Sequence, residues 1–370
     1  MGKIKSKQKK AAIVMAGGMG ARLWPRSTEK RPKQFTHLAG DGTMIQNTIN
    51  RLLKIFDAED IYIVTIESLR DFVIEQVPEI PAENIILEPF VRNTAPCLGL
   101  SAVMLSDKYD DDSIMAVFPS DHVIFNKGEF YESIDIAVDA AQRTEGIVTI
   151  GINPTRPEPG FGYIQFVKDE TNGLGELYEK GVRLTTNFAE KPDRSTAKRF
   201  IESGDFLWNS GIFVWRFDTF WKSIERYWPE ETSLFRHLQE QKGKEDFHES
   251  VQQTYRQIPS LSIDYAILEK ASNVYVVKSS FRWSDVGNWD EHFRLSMKDA
   301  KNNVIVGDVI SINTTNSLIH SKGKLIGVVG MKDIIVVDSD DAILICRRGH
   351  SDDTMEIVDF LRRKNINRLL

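Results

Sequence analysis

A short apolar run, Ala11–Ala16, ends in Gly17-Gly18-Met19-Gly20-Ala21-Arg22. Glycines placed after a buried strand let backbone N–H groups come close to phosphate oxygens. Arg22 closes that loop, and Lys33 follows in Pro32-Lys33-Gln34-Phe35. A guanidinium fork and an ammonium point charge together suit a triphosphate. Rival readings are testable on the string itself. A P-loop needs G-x-x-x-x-G-K-[ST], and the chain has no such string. A dinucleotide fingerprint needs G-x-G-x-x-G, and Leu23 stands where its third glycine belongs. A plain tight turn is the remaining alternative.

Further along, polar groups recur at the ends of apolar runs. Glu88 precedes Arg92-Asn93-Thr94, where Asn93 or Thr94 suits a helix cap. A carboxylate such as Glu88 can accept hydrogen bonds from N–H donors. Asp121 lies just past the apolar run Ile114–Phe118, and ligands of open α/β sheets bind beyond the carboxyl ends of strands. Asp285 sits in Trp283-Ser284-Asp285-Val286-Gly287. Gly160-Phe161-Gly162-Tyr163-Ile164 reads as a glycine-broken strand start, and Glu190-Lys191 as a solvated ion pair. Asn209 stands in Trp208-Asn209-Ser210-Gly211, and Asp264 in Ser262-Ile263-Asp264-Tyr265-Ala266. Asp264 suits a cap or a group that orients a site.

The elements that must position these residues follow from hydrophobic spacing. Apolar runs at 11–16, 61–66, 84–87, 114–118 and 147–150 predict strands. Helical spacing at 43–56, 69–76, 95–106 and 130–143 predicts helices between them. That alternation implies an α/β fold, a Rossmann-like mixed but mostly parallel sheet flanked by helices. After a proline-rich loop at 154–159, strands are expected at 162–167, up to 190, and at 274–278. Helices are expected at 195–203 and 262–270. The charged stretch 219–257 reads as a helical lid or peripheral layer. Past Lys298 the runs shorten to 304–309, 317–320, 325–329, 334–337 and 342–346, with turn residues between them. They predict a small all-β domain closed by a helix at 354–364. The expected organisation is a basic leader at 1–10, a catalytic domain at 11–298 and a β-rich domain at 299–370. No internal repeat stands out.

Composition narrows the function classes. The 370 residues are 41% hydrophobic and 27% charged, with a mean hydropathy of −0.29. No apolar run approaches the ~18 residues of a membrane span. Lys3, Lys5, Lys7, Lys9 and Lys10 face no acid in the first ten residues, so a net charge of −6 becomes −11 over the remaining 360. An acidic body argues against nucleic acid and against a membrane surface, and any anionic ligand must meet a local cluster of cations. The two cysteines, Cys97 and Cys346, build neither a disulfide framework nor a metal site, which fits a reducing, cytoplasmic setting. The start carries traces of a signal peptide and of the myristoylation pattern. A solvated basic leader ahead of a buried strand is the preferred reading.

Ala16–Pro25 and Pro32–Phe35 together resemble the signature of the sugar nucleotidylyltransferases, in the forms of the mannose-1-phosphate guanylyltransferase branch. Five further segments resemble that family's motifs in its order. They are Glu88–Pro96, Phe118–His122, Gly160–Ile164, Phe188–Pro192 and Leu207–Phe213, and Ser262–Ala266 and Trp283–Gly287 extend the series. Phe161 stands where the family has a tyrosine, and Cys97 where it has a small residue.

The resemblance implies a nucleotide-diphospho-sugar transferase fold with a left-handed β-helix-like C-terminal domain. It implies transfer of GMP from GTP to mannose 1-phosphate, giving GDP-mannose, a polysaccharide precursor, and pyrophosphate. Gly17, Gly18, Gly20, Arg22 and Lys33 would hold the triphosphate. Glu88, Asn93 and Thr94 would lie near the guanine. Asp121 and Asp285 would bind Mg²⁺, with His122 in support. Gly162, Tyr163, Glu190, Lys191 and Asn209 would hold the sugar phosphate. Arg22, Lys33, Asp121 and Lys191 would form the catalytic set. A homodimer is a further expectation, while a fused phosphomannose isomerase module is not. Rival functions are a sister transferase with another base or sugar, a non-catalytic nucleotide-sugar-binding relative, and a nicotinamide oxidoreductase.

Overall fold

A computed structural model describes residues 9–18, 20–38, 40–168 and 173–370. Most of the expected leader, residues 1–8, and Met19 of the glycine loop lie outside the described residues. The chain divides into two compact units. The first comprises residues up to Gly17 with Ile49–Ser120 and Ile124–Trp283; the second comprises Gly18–Thr48, Asp121–Val123 and Ser284–Leu370.

The first unit is built on one sheet. Its strands are β1 (Lys10–Met15), β2 (Ile61–Ile66), β3 (Ile85–Glu88), β4 (Ile114–Pro119), β6 (Ile147–Ile152), β7 (Tyr163–Phe166), β8 (Val182–Ala189), β9 (Phe206–Arg216) and β10 (Val274–Ser279). A two-residue strand, β5 (Val123–Ile124), stands outside this sheet. The order is β3-β2-β1-β4-β9-β6-β10-β8-β7. Among the described residues only β8 and β9 run against the rest, since both pair antiparallel with their neighbours. The sheet is therefore mixed but mostly one-directional, as expected for α/β alternation. β1 and β4 are buried along almost their whole length, which explains why they read as continuous apolar runs rather than alternating ones.

One expectation needs correction. The stretch 219–257 is helical, as Phe217–Tyr227, Pro229–Gln241 and Phe247–Gln257, but it is not a peripheral layer. Phe220, Trp221, Ile224, Phe235, Leu238 and Tyr255 belong to the main core cluster of this unit. The charges of these helices occupy outward faces, and an apolar stripe faces the core. Full burial of one such side chain is worth about 1.5–3 kcal/mol.

The second unit has its own core, in which Leu23, Trp24, Leu38 and Met44 pack with Trp289, Val304, Leu318, Ile335, Leu344 and Leu361. Beyond a second two-residue strand, β11 (Trp283–Ser284), come β12 (Val304–Val306), β13 (Val309–Ile312), β14 (Leu318–His320), β15 (Ile326–Val329), β16 (Ile334–Asp338) and β17 (Ile343–Arg347). β12, β14 and β16 stack in parallel, β13 and β15 form a second parallel pair, and β17 closes antiparallel on β16. Stacked parallel rungs of this kind give a β-helix-like coil. The single strand expected at 304–309 is split at Gly307, whose φ of +79° turns the chain. A Cβ there would lie 2.5 Å from the Ser321 carbonyl oxygen, so only glycine fits this corner. The helix Thr354–Arg363 follows.

Candidate active site

Three groups of expected residues are brought together, two in the first unit and one in the second.

The first group gathers around Glu88, the last residue of β3, which is 3% exposed. The Tyr255 hydroxyl donates to Glu88 Oε1 at 3.0 Å and also lies 3.2 Å from the Pro96 carbonyl. The other carboxylate oxygen faces Gly17, where a Cβ would sit 3.6 Å from Oε2. Burial raises the Glu88 pKa to about 7, and the Tyr255 hydrogen bond only partly opposes it. Asn93 is the N-cap of the helix Thr94–Leu105 and accepts the Thr94 N–H at 2.8 Å. Its φ of +69° with ψ of −171° lies outside the αL region, in backbone space that is essentially glycine's, so the loop holds Asn93 under strain. The Thr94 hydroxyl accepts the Ile263 N–H, which ties this loop to the segment carrying Asp264. Arg92 is no bare surface charge: its Nε donates to the Tyr255 carbonyl at 3.0 Å and its guanidinium lies over Phe90. Cys97 is buried, and burial pushes its thiol well above the usual range, with Glu88 adding to the shift.

The second group gathers around Gly162. A Cβ at this position would meet Glu190 Oε2 at 2.5 Å and Asn209 Cβ at 3.3 Å, so the lack of a side chain lets both approach the backbone. The Gly162 carbonyl accepts the Asn209 N–H at 2.8 Å. Asn209 Nδ2 donates to Asp264 Oδ1 at 2.8 Å, and Lys191 Nζ to Glu190 Oε1 at 2.8 Å. Burial and the nearby Glu190 charge raise Asp264 to about 6, against Asn209 and Lys191. Asp264 opens a π-helical turn, Asp264–Leu268, where an ordinary short helix was expected. The bond from Glu269 N–H to the Asp264 carbonyl spans five residues and defines that wider pitch. Tyr163 is fully buried and its hydroxyl accepts the Glu158 N–H, so its side chain shapes the Gly160–Gly162 turn from inside. The Phe161 ring packs edge-on against Trp208 and Trp283, at 5.1 and 5.0 Å.

The third group gathers around Lys33. Its side chain is 6% exposed, and Nζ donates to Asp121 Oδ2 at 2.8 Å and to the Asp285 carbonyl. Gly20, at φ +64°, makes room for it: a Cβ there would lie 2.4 Å from Lys33 Cβ. Burial works against the Asp121 charge, but Lys33 and His122 outweigh it and hold its pKa below the usual carboxylate range. Asp285 goes the other way, to about 6, because burial and the charges of Asp121 and Glu291 exceed the pull of Lys33. Lys33 thus holds the Asp121 carboxylate and the Asp285 main chain, while the Asp285 carboxylate accepts the Gly287 N–H at 3.1 Å. A pair of carboxylates suits a hard divalent cation, which favours oxygen donors. Among the described residues no cluster of three or more His, Cys, Asp or Glu side chains is arranged to hold an ion, so a cation here would keep water or substrate oxygens in its shell. Arg22 lies apart from this group: it is half-exposed, with Asp352 at 3.8 Å. Gly18 is exposed.

Sequence reasoning missed Tyr255. It lies in a charged helical stretch without a motif, and its only signal is an aromatic at helical spacing from Val251, which reads as core. It also left Lys33 free to hold a phosphate, whereas the ammonium is already committed to Asp121 and Asp285.

Comparison with known proteins identifies the family. Residues 11–302 match the nucleotidyl transferase family model, and residues 307–361 match the mannose-phosphate isomerase/GMP-like β-helix domain. The alginate biosynthesis protein AlgA of Pseudomonas aeruginosa is 35% identical over 94% of this chain and 71% of its own length. A mannose-1-phosphate guanylyltransferase of Escherichia coli is 35% identical over 95% of this chain and 74% of its own. A crystal structure from Thermus thermophilus, described as a mannose-1-phosphate geranyltransferase, superposes with a TM-score of 0.85 at 27% identity, covering 96% of this chain and 99% of that one. The chain belongs to the nucleotidyl transferase family, within its mannose-1-phosphate guanylyltransferase group.

Proposed function

We propose that this protein transfers GMP from GTP to mannose 1-phosphate, giving GDP-mannose and pyrophosphate. The observation that carries the reading is the Lys33–Asp121–Asp285 cluster, standing in a chain whose relatives are named for this reaction. A phosphate oxygen of the sugar attacks the α-phosphorus of GTP in line. The new P–O bond forms as the bond to the β-phosphate oxygen breaks, and pyrophosphate leaves. No protein nucleophile is needed; the residues position the reactants and offset charge.

Each group has a task in this reading. Glu88, held by Tyr255, accepts from the guanine edge, while Asn93 and Thr94 set the loop beside it. Gly17, Gly18 and Gly20 offer backbone to the triphosphate, and Arg22 is the exposed cation for its outer phosphates. Glu190 and Asn209 take sugar hydroxyls, Gly162 leaves them room, Tyr163 fixes that turn, and Lys191 takes the sugar phosphate. Lys33 aligns Asp121 and Asp285 and offsets their charge. A divalent cation such as Mg²⁺, held by Asp121 and Asp285, would neutralise the triphosphate. Among the described residues no helix is long and apolar enough to cross a membrane, and both cysteines are free thiols; these support a cytoplasmic setting.

The test is product identification. The wild-type protein with GTP, mannose 1-phosphate and Mg²⁺ forms GDP-mannose, and Asp121→Asn lowers turnover by about 10²–10³-fold, the size seen when one charge-stabilising group is lost. Wild-type turnover in Asp121→Asn contradicts the role given to the cluster.

A further inference from the structure

The second unit holds a cavity of about 660 Å³ that none of the proposed catalytic residues lines. That is the size of a small-molecule site, ~300–1,000 Å³. Its walls come from the segments around Trp24–Gly40 and His292–Leu370. Five cationic side chains line it, against the carboxylates of Asp340 and Asp341. Lys322 is already paired with Asp340. A cationic excess in a protein of net charge −6 is a local feature that needs a reason.

Three polar atoms of its lining residues are shut off from solvent and have no partner among the described residues. Arg26 Nη2 meets His320 Nε2 at 2.5 Å. A guanidinium only donates, so this ring nitrogen accepts. Burial first, then Arg26 and His292, pushes His320 down to about 3; burial, then Arg26 and Lys298, pushes His292 down to about 4. Both rings are neutral at pH 7, and the single His320 proton therefore sits on Nδ1. That Nδ1–H, His292 Nε2 and Arg26 Nε are buried with no hydrogen-bond partner. Both histidines are only 6% exposed. A buried donor without an acceptor costs about 1–3 kcal/mol. A ligand with several acceptor oxygens offsets the clustered positive charge of the lining side chains.

We propose that this cavity is a second ligand site, which takes a small phosphate-bearing metabolite. Arg26 and His320 form its floor, and Arg31 stands at its exposed rim. The site bears on the proposed catalytic lysine through the backbone. Arg31 Nε donates to the Phe35 carbonyl, and the hydroxyl of Thr36, another lining residue, donates to the Lys33 carbonyl at 2.6 Å. An occupant therefore touches both flanks of the Lys33–Phe35 turn.

Calorimetric titration tests the proposal, with inorganic phosphate, glucose 6-phosphate and glucose as probes on wild type, Lys191→Met, Arg26→Gln and Arg31→Gln. Phosphate or glucose 6-phosphate is expected to bind wild type and Lys191→Met alike, and at least tenfold more weakly to Arg26→Gln. Arg31→Gln, an exposed substitution that leaves the floor intact, is expected to weaken binding several-fold and covers the case in which Arg26→Gln does not fold. Tighter binding of glucose 6-phosphate than of phosphate identifies an organic phosphate as the ligand, and equal binding identifies orthophosphate. The proposal is overturned if neither anion binds, if glucose binds as well as its phosphate, or if binding is lost in Lys191→Met and kept in both arginine variants.

Discussion

At the residue scale, Glu88 is the group whose protonation the fold sets most directly. Its pKa of about 7 lies above the ordinary glutamate value of 4.5 because the carboxyl is buried. The fold therefore prefers the protonated form. That preference is fully present below the unfolded value and is lost as pH rises through about 7. Guanine offers donors, so it selects the carboxylate. The account predicts that the KM for GTP falls as pH rises from 6 to 8, by roughly tenfold if ionisation is worth the ~1.4 kcal/mol of one pKa unit. Glu88→Gln is expected to flatten this profile and to narrow the preference for GTP over ATP. A KM profile that is unchanged in Glu88→Gln removes Glu88 from base recognition. The residues of this loop could be read in the sequence because their types are few and adjacent. Tyr255 could not, because its contact with Glu88 spans 167 positions and no local pattern encodes it.

At the element scale, Gly162 joins the start of β7 to Glu190, at the end of β8, and to Asn209 on β9. The close approach is a property of three strands meeting, not of the Gly160–Ile164 string. A methyl group 2.5 Å from Glu190 Oε2 must displace that carboxylate. Gly162→Ala is expected to raise the KM for mannose 1-phosphate by at least about tenfold, the cost of ~1.4 kcal/mol in binding, with the KM for GTP unchanged. Steady-state kinetics on both substrates check it, and equal effects on both would point to general disruption. Most elements of the sheet were legible as buried apolar runs. The β-helix-like coil was legible only as short strands. Its rungs recur at 14 residues from Val304 to Leu318 but at 17 from Leu318 to Ile335, so no fixed period marks the sequence. The wider pitch at Asp264 was likewise invisible, since a π turn and an α turn share the same residue preferences here.

At the scale of the whole molecule, the linear division at residue 298 and the compact units of the fold ask different questions. Leu23, Trp24, Leu38 and Met44 share a core with Val304, Leu318, Ile335 and Leu361. The segment that carries Lys33 is thus packed on the C-terminal strands, a fact that no reading along the chain could supply. We propose that the C-terminal stretch is required for catalysis rather than appended to it. Ending the chain after Lys298 strips several large side chains from that core, each worth about 1.5–3 kcal/mol of burial. Loss of turnover and exposure of the 18–48 segment to protease are the expected outcomes. Full turnover in the shortened chain would show that segment 18–48 holds Lys33 unaided.

The central claim is the pairing of guanine with mannose. Pyrophosphate release, measured with Mg²⁺ across four nucleoside triphosphates and a panel of sugar 1-phosphates, tests it most directly. The account predicts fast release with GTP and mannose 1-phosphate and at least tenfold slower release with every other pair. Faster release with another base or sugar, or none from folded protein with any pair, would contradict it.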